Sequence, residues 1–99
     1  HYQTKDLSID FKSRTVSVRG EEIKLTRTEF ELLELFVSYP DEVLSRDFIT
    51  NQIWRDSQLY QFSRAVDVHV QRLRKKIEAD VNNPQNIVTV AGVGYKFQG

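Results

Sequence analysis

The sequence predicts an α+β fold in which an N-terminal antiparallel sheet precedes three helices and a β-hairpin closes the chain. Three observations support this prediction. Short segments in which apolar and polar residues alternate occur near both ends, over 7–25 and 87–97. Between them, apolar residues recur with helical periodicity behind capping sequences. With 99 residues and an apolar content of 39%, the chain can form one modest core and therefore one domain.

The first strands are predicted from the alternation over 7–11, 16–18 and 23–25, with polar turns between these segments. We expect three short antiparallel strands that pack on helices, because so small a sheet is not stable alone. Residues 1–6 are polar, so we expect them to be a frayed linker remnant ahead of a domain that occupies 7–97.

Two helices are predicted next, each from an N-cap sequence. Thr26 and Glu29 form a capping box ahead of a wide apolar stripe, and this first helix stops near Pro40. Ser45 is the N-cap candidate of a second, shorter helix that ends near Trp54.

The segment over 55–62 separates the second helix from the third and is rich in large apolar side chains. Leu59, Tyr60 and Phe62 are more than a plain connector needs. These side chains either complete the core or present a surface to a protein partner, and the sequence leaves both interpretations open.

The third helix is predicted from an apolar stripe with spacings of four, three and four residues, formed by Val66, Val70, Leu73 and Ile77. Ser63 is its N-cap candidate. The opposite face carries Arg64, Ala65, Val68, Gln71, Arg72 and Lys75. Between Arg64 and Lys76 there are five cations and one acid.

This face has two interpretations. The simpler one is a solvated cationic surface on an ordinary amphipathic helix. Two details favour a DNA major groove instead: the face lacks the acids that normally alternate with Lys and Arg, and Val68 lies at its centre. In a major groove, cations meet phosphates or guanine edges, and a small apolar group can meet a thymine methyl.

The last two strands are predicted over 87–91 and 95–97. Gly92 and Gly94 lie between them and would supply the positive φ angles of a tight loop. The second and third helices then form a helix-turn-helix, although its connector is longer than usual. The terminal hairpin would lie beside the third helix as a wing, which makes the predicted fold a winged helix-turn-helix.

Charge is distributed unevenly although the net charge is zero. Residues 1–50 hold seven Lys/Arg and ten Asp/Glu, a net charge of −3, whereas residues 51–99 hold seven and four, a net charge of +3. The location of positive charge, rather than its total, is what attracts a polyanion.

The chain has no cysteine, which excludes disulfides and fits a reducing cytosol. It also has no methionine, so we expect it to be a piece of a longer protein.

Signatures of catalysis or of a bound cofactor are not found in the sequence. The two histidines, His1 and His69, are far apart in the chain, the glycines over 92–94 lack the motif of a nucleotide site, and no serine has a recognisable catalytic partner. The acids are scattered on helix exteriors. We therefore expect neither an enzyme nor a metal or cofactor site, and no apolar run approaches the roughly 18 residues of a membrane helix.

Several motifs in order give the chain a recognisable pattern: Ile23-x-Leu25-Thr26-x-x-Glu29-Phe30, Leu44-Ser45-Arg46, Ile53-Trp54, Arg64-Ala65-Val66-Asp67-Val68-His69-Val70, Leu73-Arg74-Lys75-Lys76-Ile77 and Val90-x-Gly92-x-Gly94-Tyr95. This pattern resembles the winged-helix effector domain of OmpR/PhoB-type response regulators and covers roughly residues 7–97. Any one motif alone would be weak, whereas the series at consistent spacing is highly specific.

The resemblance implies roles for individual residues. In the family, the third helix enters the major groove and the wing lies over the minor groove. By position, the residues that resemble base readers are Ala65, Val68 and Arg72. Those that resemble phosphate contacts are Trp54, Arg64, His69, Arg74, Thr89 and Tyr95. The segment offered to RNA polymerase would include Leu59, Tyr60, Gln61 and Phe62.

The resemblance also implies partners and a context. It indicates a cytoplasmic bacterial transcription regulator of a two-component system, in which a sensor histidine kinase phosphorylates an N-terminal receiver domain that this chain lacks. It further implies a homodimer on DNA, with two copies bound head to tail on direct repeats. Two departures bear on affinity: Ala91 and Gln71 stand where some members have arginine, which removes a minor-groove contact and a phosphate contact.

Two other classes of function are compatible with the fold. A winged helix that binds only proteins would be expected to carry acids on the outer face of its third helix, and this face carries almost none. A binder of structured RNA would be expected to expose aromatic residues on a platform, and outside 55–62 the sequence suggests none. Both classes are therefore less favoured than DNA binding.

Overall fold

The computed structural model describes residues 1–54 and 65–98, and within them the chain forms seven strands and three helices. In chain order these elements are β1 (Tyr2–Gln3), β2 (Leu7–Asp10), β3 (Thr15–Val18), β4 (Glu21–Ile23), α1 (Arg27–Ser38), β5 (Val43–Ser45), α2 (Arg46–Ile53), α3 (Ala65–Ile77), β6 (Ile87–Val90) and β7 (Gly94–Phe97). The predicted α+β class and the sheet–helix–hairpin order are confirmed. The predicted N-cap at Ser63 and the segment over 55–62 lie outside the described residues.

The N-terminal sheet has four antiparallel strands in the order β1-β2-β3-β4, one more than the sequence predicted. The expectation of a frayed segment over 1–6 is wrong for Tyr2 and Gln3, which pair with Ile9 and Ser8. The Tyr2 ring also packs edge-on against Phe97, with 5.8 Å between ring centroids. Two residues are too few to show the two-residue period of a strand, so the sequence analysis could not predict β1.

The predicted terminal hairpin is part of a three-stranded antiparallel sheet in the order β5-β7-β6. The additional strand, Val43–Ser45, pairs with Gly94–Lys96 and buries Leu44. Val43 and Leu44 are adjacent apolar residues, so the segment does not alternate between apolar and polar side chains, and the sequence analysis assigned it no strand. The wing is thus joined directly to the start of α2.

The two glycines of the hairpin have different roles. Gly92 has the positive φ of 77° that the sequence predicted. Gly94 does not, and the expectation of a positive φ there is wrong. Glycine is required at position 94 because of close packing instead: a Cβ there would collide with the carbonyl oxygen of Leu44 and lie 2.9 Å from Cα of Ser45. Close approach of β5 and β7 therefore depends on this missing side chain.

The core lies between the helices and the inner faces of both sheets, and it confirms the predicted stripes. The buried apolar side chains on α3 are the predicted Val66, Val70, Leu73 and Ile77, and those on α1 include Phe30, Leu32, Leu33 and Phe36. Both predicted caps are present. Thr26 and Glu29 form the reciprocal capping box of α1, and Ser45 caps α2 through the amide of Phe48.

Glu29 has a second role that local sequence could not show. Its side chain is almost fully buried, and one carboxylate oxygen accepts both the Thr26 amide and the Lys76 ammonium, the latter at 2.5 Å. Burial acts to raise the pKa of Glu29, but the hydrogen bonds from Lys76 and Thr26 and the charge of Lys76 together bring it below its ordinary value. Since Lys76 lies near the end of α3, this contact ties the beginning of α1 to the end of α3.

We expect Gly94→Ala to lower the free energy of unfolding by about 1–3 kcal/mol, because the added methyl group must displace the backbone of β5. Urea unfolding followed by circular dichroism measures the change. Gly92→Asn is the matched control, since its side chain enters open space and asparagine tolerates the left-handed conformation. A loss below about 1 kcal/mol is expected for that control, because asparagine meets only backbone strain in the left-handed conformation and no steric clash. Equal effects of the two substitutions would contradict a steric role for Gly94.

We expect Glu29→Gln to destabilise the domain by about 1–3 kcal/mol at neutral pH, because it weakens a buried, charged hydrogen bond. The pKa of Glu29 is lowered in the folded state, so its contribution is complete above the ordinary glutamate pKa and disappears as the pH falls through the folded value. Urea unfolding over a series of acidic pH values should show wild type and variant converging.

The control is Glu31→Gln, which removes the charge from a surface pair with Arg27. Such a pair contributes at most about 0.5 kcal/mol. A difference between wild type and Glu29→Gln that stays constant at every pH would contradict the role assigned to the Glu29 charge.

Candidate nucleic-acid interface

The outer face of α3 is exposed as the sequence predicted. Val68 is 44% exposed at its centre, and Arg72 lies one turn further along the helix on the same exposed face. Gln71 and Lys75 are also exposed, whereas Ala65, at the first residue of α3, is half-buried. The apolar side chain of Val68 and the guanidinium of Arg72 are therefore both accessible on one helical surface.

A polar cluster links the first turn of α3 to α2 and to the wing. One oxygen of Asp67 accepts hydrogen bonds from Arg46 Nε at 2.8 Å and from the Tyr95 hydroxyl. The Arg46 guanidinium also lies 5.3 Å from the centre of the Tyr95 ring. We call Arg46, Asp67 and Tyr95 the anchor cluster. It joins residues that are 21 and 28 positions apart in the chain.

The surroundings of the anchor cluster change the protonation behaviour of two of its members. Burial, followed by the hydrogen bond to Asp67 and the charge of Asp67, raises the pKa of Tyr95. The hydrogen bond and charge of Asp67 raise the pKa of Arg46. Tyr95 therefore keeps its proton and Arg46 its charge at neutral pH, so the cluster carries a donor, a cation and a shared carboxylate.

Arg74 is built into the domain and is only 8% exposed. Its Nε donates to the carbonyl oxygen of Ile87 at 2.9 Å, and its Nη2 donates to Thr89 Oγ1 at 2.7 Å. The guanidinium also lies 5.3 Å from the Tyr95 ring centre. Burial lowers the pKa of Arg74. This arginine thus connects the last turn of α3 to the first strand of the wing hairpin.

Trp54 and His69 lie together at the flank of α3. Their rings meet edge-on, with 5.2 Å between centroids. His69 Nδ1 lies 2.8 Å from the carbonyl oxygen of Ala65 and donates to it, because a carbonyl can only accept. The two rings therefore hold each other in place between the end of α2 and the second turn of α3.

The wing presents an uncharged tip. Residues 91–93 are exposed, and Val93 is 50% exposed. At the base of the wing, the Glu78 carboxylate accepts the amides of Gln85, Asn86 and Ile87, which fixes the segment between α3 and β6. Thr89 is exposed beside this base while its hydroxyl accepts Arg74.

The structure describes five of the predicted site residues on or beside the elements that the sequence analysis assigned to them. Val68, Arg72, Trp54, His69 and Thr89 lie on α3, at its flank or on the wing, where the sequence analysis placed them. Arg74 and Tyr95 differ, since their polar atoms are used inside the domain. The predicted contacts at Arg64 and the polymerase-contact residues Leu59, Tyr60, Gln61 and Phe62 lie outside the described residues.

Arg46 is a site residue to which the sequence analysis assigned no role. It precedes the other residues of α2 and belongs to the Leu44-Ser45-Arg46 motif, so its position was visible in the sequence. Its partner on another helix was not visible. Within residues 1–54 and 65–98, no group of three or more His, Asp or Glu side chains is arranged to hold a metal ion. None of the described helices has the length and apolarity needed to cross a membrane.

Comparison with known sequences gives a consistent set of matches. Residues 20–97 match the family described as "Transcriptional regulatory protein, C terminal". The chain is 45% identical over 95 residues to a probable transcriptional regulatory protein of Picosynechococcus, which covers 96% of this chain and 38% of that protein. It is also 45% identical over 91 residues to the DNA-binding response regulator MtrA of Mycolicibacterium smegmatis, covering 92% and 40%. The chain thus spans about two fifths of these curated relatives.

Solved structures show the same architecture. The DNA-binding domain of Klebsiella pneumoniae RstA, crystallised in complex with the RstA box, matches with a TM-score of 0.87 and 30% identity, covering 98% of this chain and 95% of that one. The Thermotoga maritima response regulator DrrB, an OmpR/PhoB homologue, matches with a TM-score of 0.90 and 38% identity, covering 99% and 44%. The winged-helix fold predicted from the sequence is confirmed.

Proposed function

Because the chain belongs to the family of C-terminal DNA-binding domains of OmpR/PhoB-type transcriptional regulators, we propose that it binds double-stranded DNA in a sequence-specific manner, with α3 in the major groove and the wing over the minor groove. The observation that carries this proposal is the exposed face of α3, on which Val68 and Arg72 stand one turn apart. An α-helix fits the width of a major groove, where base pairs differ in their hydrogen-bonding pattern.

We assign the reading of bases to Ala65, Val68 and Arg72. The planar guanidinium of Arg72 can form two parallel hydrogen bonds to guanine O6 and N7, and Val68 has the size to contact a thymine methyl. Ala65 begins the same face and is small enough to let the helix approach closely. These three residues together would read only a few base pairs.

The residues that the family suggests as phosphate contacts divide into those beside α3 or on the wing and those whose polar atoms are already bound within the domain. Trp54 and His69 pack together beside α3, and Thr89 lies on the wing, so we propose that phosphates are contacted from both of these elements. Arg64, immediately before α3, is proposed as a further contact. Direct contact between phosphates and Arg74 or Tyr95 remains only a prediction, since polar atoms of both side chains already bind other residues of the domain.

The proposed assembly is two copies bound head to tail on direct repeats. One α3 helix reads too few base pairs to select a site in a genome, so a second copy is needed for adequate specificity. The whole regulator is proposed to contain a receiver domain that a sensor histidine kinase phosphorylates, and to contact RNA polymerase through residues 59–62. These partners are suggested by the family resemblance.

A protein-binding winged helix is the alternative, and the charge of α3 argues against it. In the first turn of α3 the acid is Asp67, and its carboxylate is bound to Arg46 and Tyr95 rather than presented to a partner. The remaining exposed polar residues on that face are Gln71, Arg72 and Lys75. Such a surface suits a polyanion.

Selection of duplexes from a random DNA pool tests the proposed function. We expect enrichment of a direct repeat whose half-sites are about one helical turn apart. Val68→Glu should abolish enrichment, because a carboxylate at the centre of the face repels phosphates. Val43→Glu is the matched control, since Val43 is also 44% exposed but lies on β5. Failure to enrich any duplex, or equal effects of the two substitutions, would contradict DNA reading by α3.

We expect Arg72→Lys to reduce discrimination at one base pair by about 1–3 kcal/mol, because lysine retains the charge but loses the two-point hydrogen bonding. The measurement is the dissociation constant for each single-base variant of the selected duplex. Affinity for scrambled DNA should barely change. Arg27→Lys on α1 is the matched control and should leave every value unchanged. A uniform loss across all variants would identify Arg72 as a phosphate contact instead.

A further inference from the structure

The anchor cluster contains the acid of the first turn of α3, in a position next to the proposed base reader Val68. We propose that Asp67 and Tyr95 are positioning residues for base reading: Tyr95 acts on DNA through Asp67, and the two fix the first turn of α3 relative to the wing. This inference rests on the proposed function and adds specificity-determining residues that themselves make no contact with a base.

Tyr95 is better placed for positioning than for contacting a phosphate. Its side chain is only 4% exposed, and its single hydroxyl proton is donated to Asp67. Donation to a phosphate would require breaking that bond beside a polyanion, which would leave the Asp67 carboxylate with fewer partners. The guanidinium groups of Arg46 and Arg74 also lie near the ring, each 5.3 Å from its centre, and enclose the phenol further.

Asp67 is short, and its hydrogen bonds therefore constrain the backbone. Its carboxylate is separated from Cα by one methylene group, so fixing the oxygen between Arg46 and Tyr95 restricts where the first turn of α3 can lie. Tyr95 is held by pairing with Leu44 on one side and Thr89 on the other. The central strand of the wing sheet thus determines the position of Asp67.

The consequence for recognition concerns Val68, the residue after Asp67. A shift of the first turn would move Val68 in the groove and alter its distance to a base, while the cations that attract the phosphate backbone would remain. Loss of the anchor should therefore weaken binding to the selected sequence more than binding to other DNA. A direct phosphate contact would weaken both equally, because phosphates carry no sequence information.

The test is a double-mutant cycle with Tyr95→Phe, Asp67→Ala and the combined variant, measured on the selected duplex and on a scrambled duplex of the same composition. We expect each single substitution to weaken binding to the selected duplex roughly tenfold, the loss typical of one hydrogen bond to a charged group. The scrambled duplex should be affected less than about twofold. The combined variant should bind no more weakly than Asp67→Ala, since that substitution already breaks the bond to Tyr95 together with the bond to Arg46.

The controls separate positioning from folding and from helix-end effects. Tyr39→Phe makes the same chemical change at the end of α1, and Asp47→Ala removes the acid from the first turn of α2. Both should leave binding unchanged. Asp67→Asn keeps an acceptor oxygen and should recover part of the Asp67→Ala loss when Tyr95 is present. Concentrations of active protein are fixed by stoichiometric titration, so a partly unfolded variant does not imitate weak binding.

The possible results have distinct meanings. Coupled losses confined to the selected duplex support the inference. Additive losses, or equal losses on both duplexes, overturn it and identify Tyr95 as a direct contact. Equal affinity of the wild-type chain for the two duplexes overturns the proposed function itself and, with it, this inference.

Discussion

The structure depends on the anchoring of α3 at both of its ends. A helix that must bury one stripe and expose the opposite one can rotate or slide unless something fixes it, because apolar contacts are not directional. Here hydrogen bonds and ion pairs, which are directional, fix the position of the helix. Asp67 holds the first turn through Arg46 and Tyr95, while Lys76 holds the last turn through Glu29.

The C-terminal end of α3 is connected to both sheets. The Arg19 guanidinium donates to the last carbonyl of the helix, that of Ile77, and thus connects the β3–β4 turn to it. Glu78 accepts the amides that lead into the wing. Carbonyl groups at a helix end have no partner within the helix, so an arginine there is favourable for both charge and hydrogen bonding. The surface that we propose to face DNA is therefore carried by a helix that is held at both ends.

The anchoring also changes how the charge of α3 is understood. The sequence shows five cations over 64–76, which suggests a strongly positive surface. Arg74 is buried against the wing and Lys76 binds Glu29, so neither is fully available to DNA. Arg72 and Lys75 remain exposed on the outer face. Recognition by so few cations relies more on where each one lies than on their number.

The sequence predicted what depends on local pattern, and it failed where a long-range contact decides. The capping box at Thr26, the cap at Ser45 and the buried stripe of α3 follow from spacing alone, and all are confirmed. Strand β1 was missed because two residues cannot show a period, and β5 because its apolar residues Val43 and Leu44 are adjacent and do not alternate with polar ones. The burial of Arg74 and Tyr95 was missed because their partners come from other elements. The closeness of Gly94 to Leu44 is likewise a property of packing, which a glycine motif does not reveal.

The double role of Ser45 has a consequence for how this architecture can vary. Ser45 ends β5, where it pairs with Gly94, and it also caps α2. One residue thus serves the sheet and the helix, so an insertion or deletion at this junction would disrupt both at once. The exposed side chains of Ala91 and Val93 at the wing tip have no such double role, although Gly92 between them keeps the positive φ of the turn. If α3 reads DNA as proposed, we therefore expect substitutions on its outer face to change binding preference without unfolding the domain, whereas a change of length at the Ser45 junction should destabilise it.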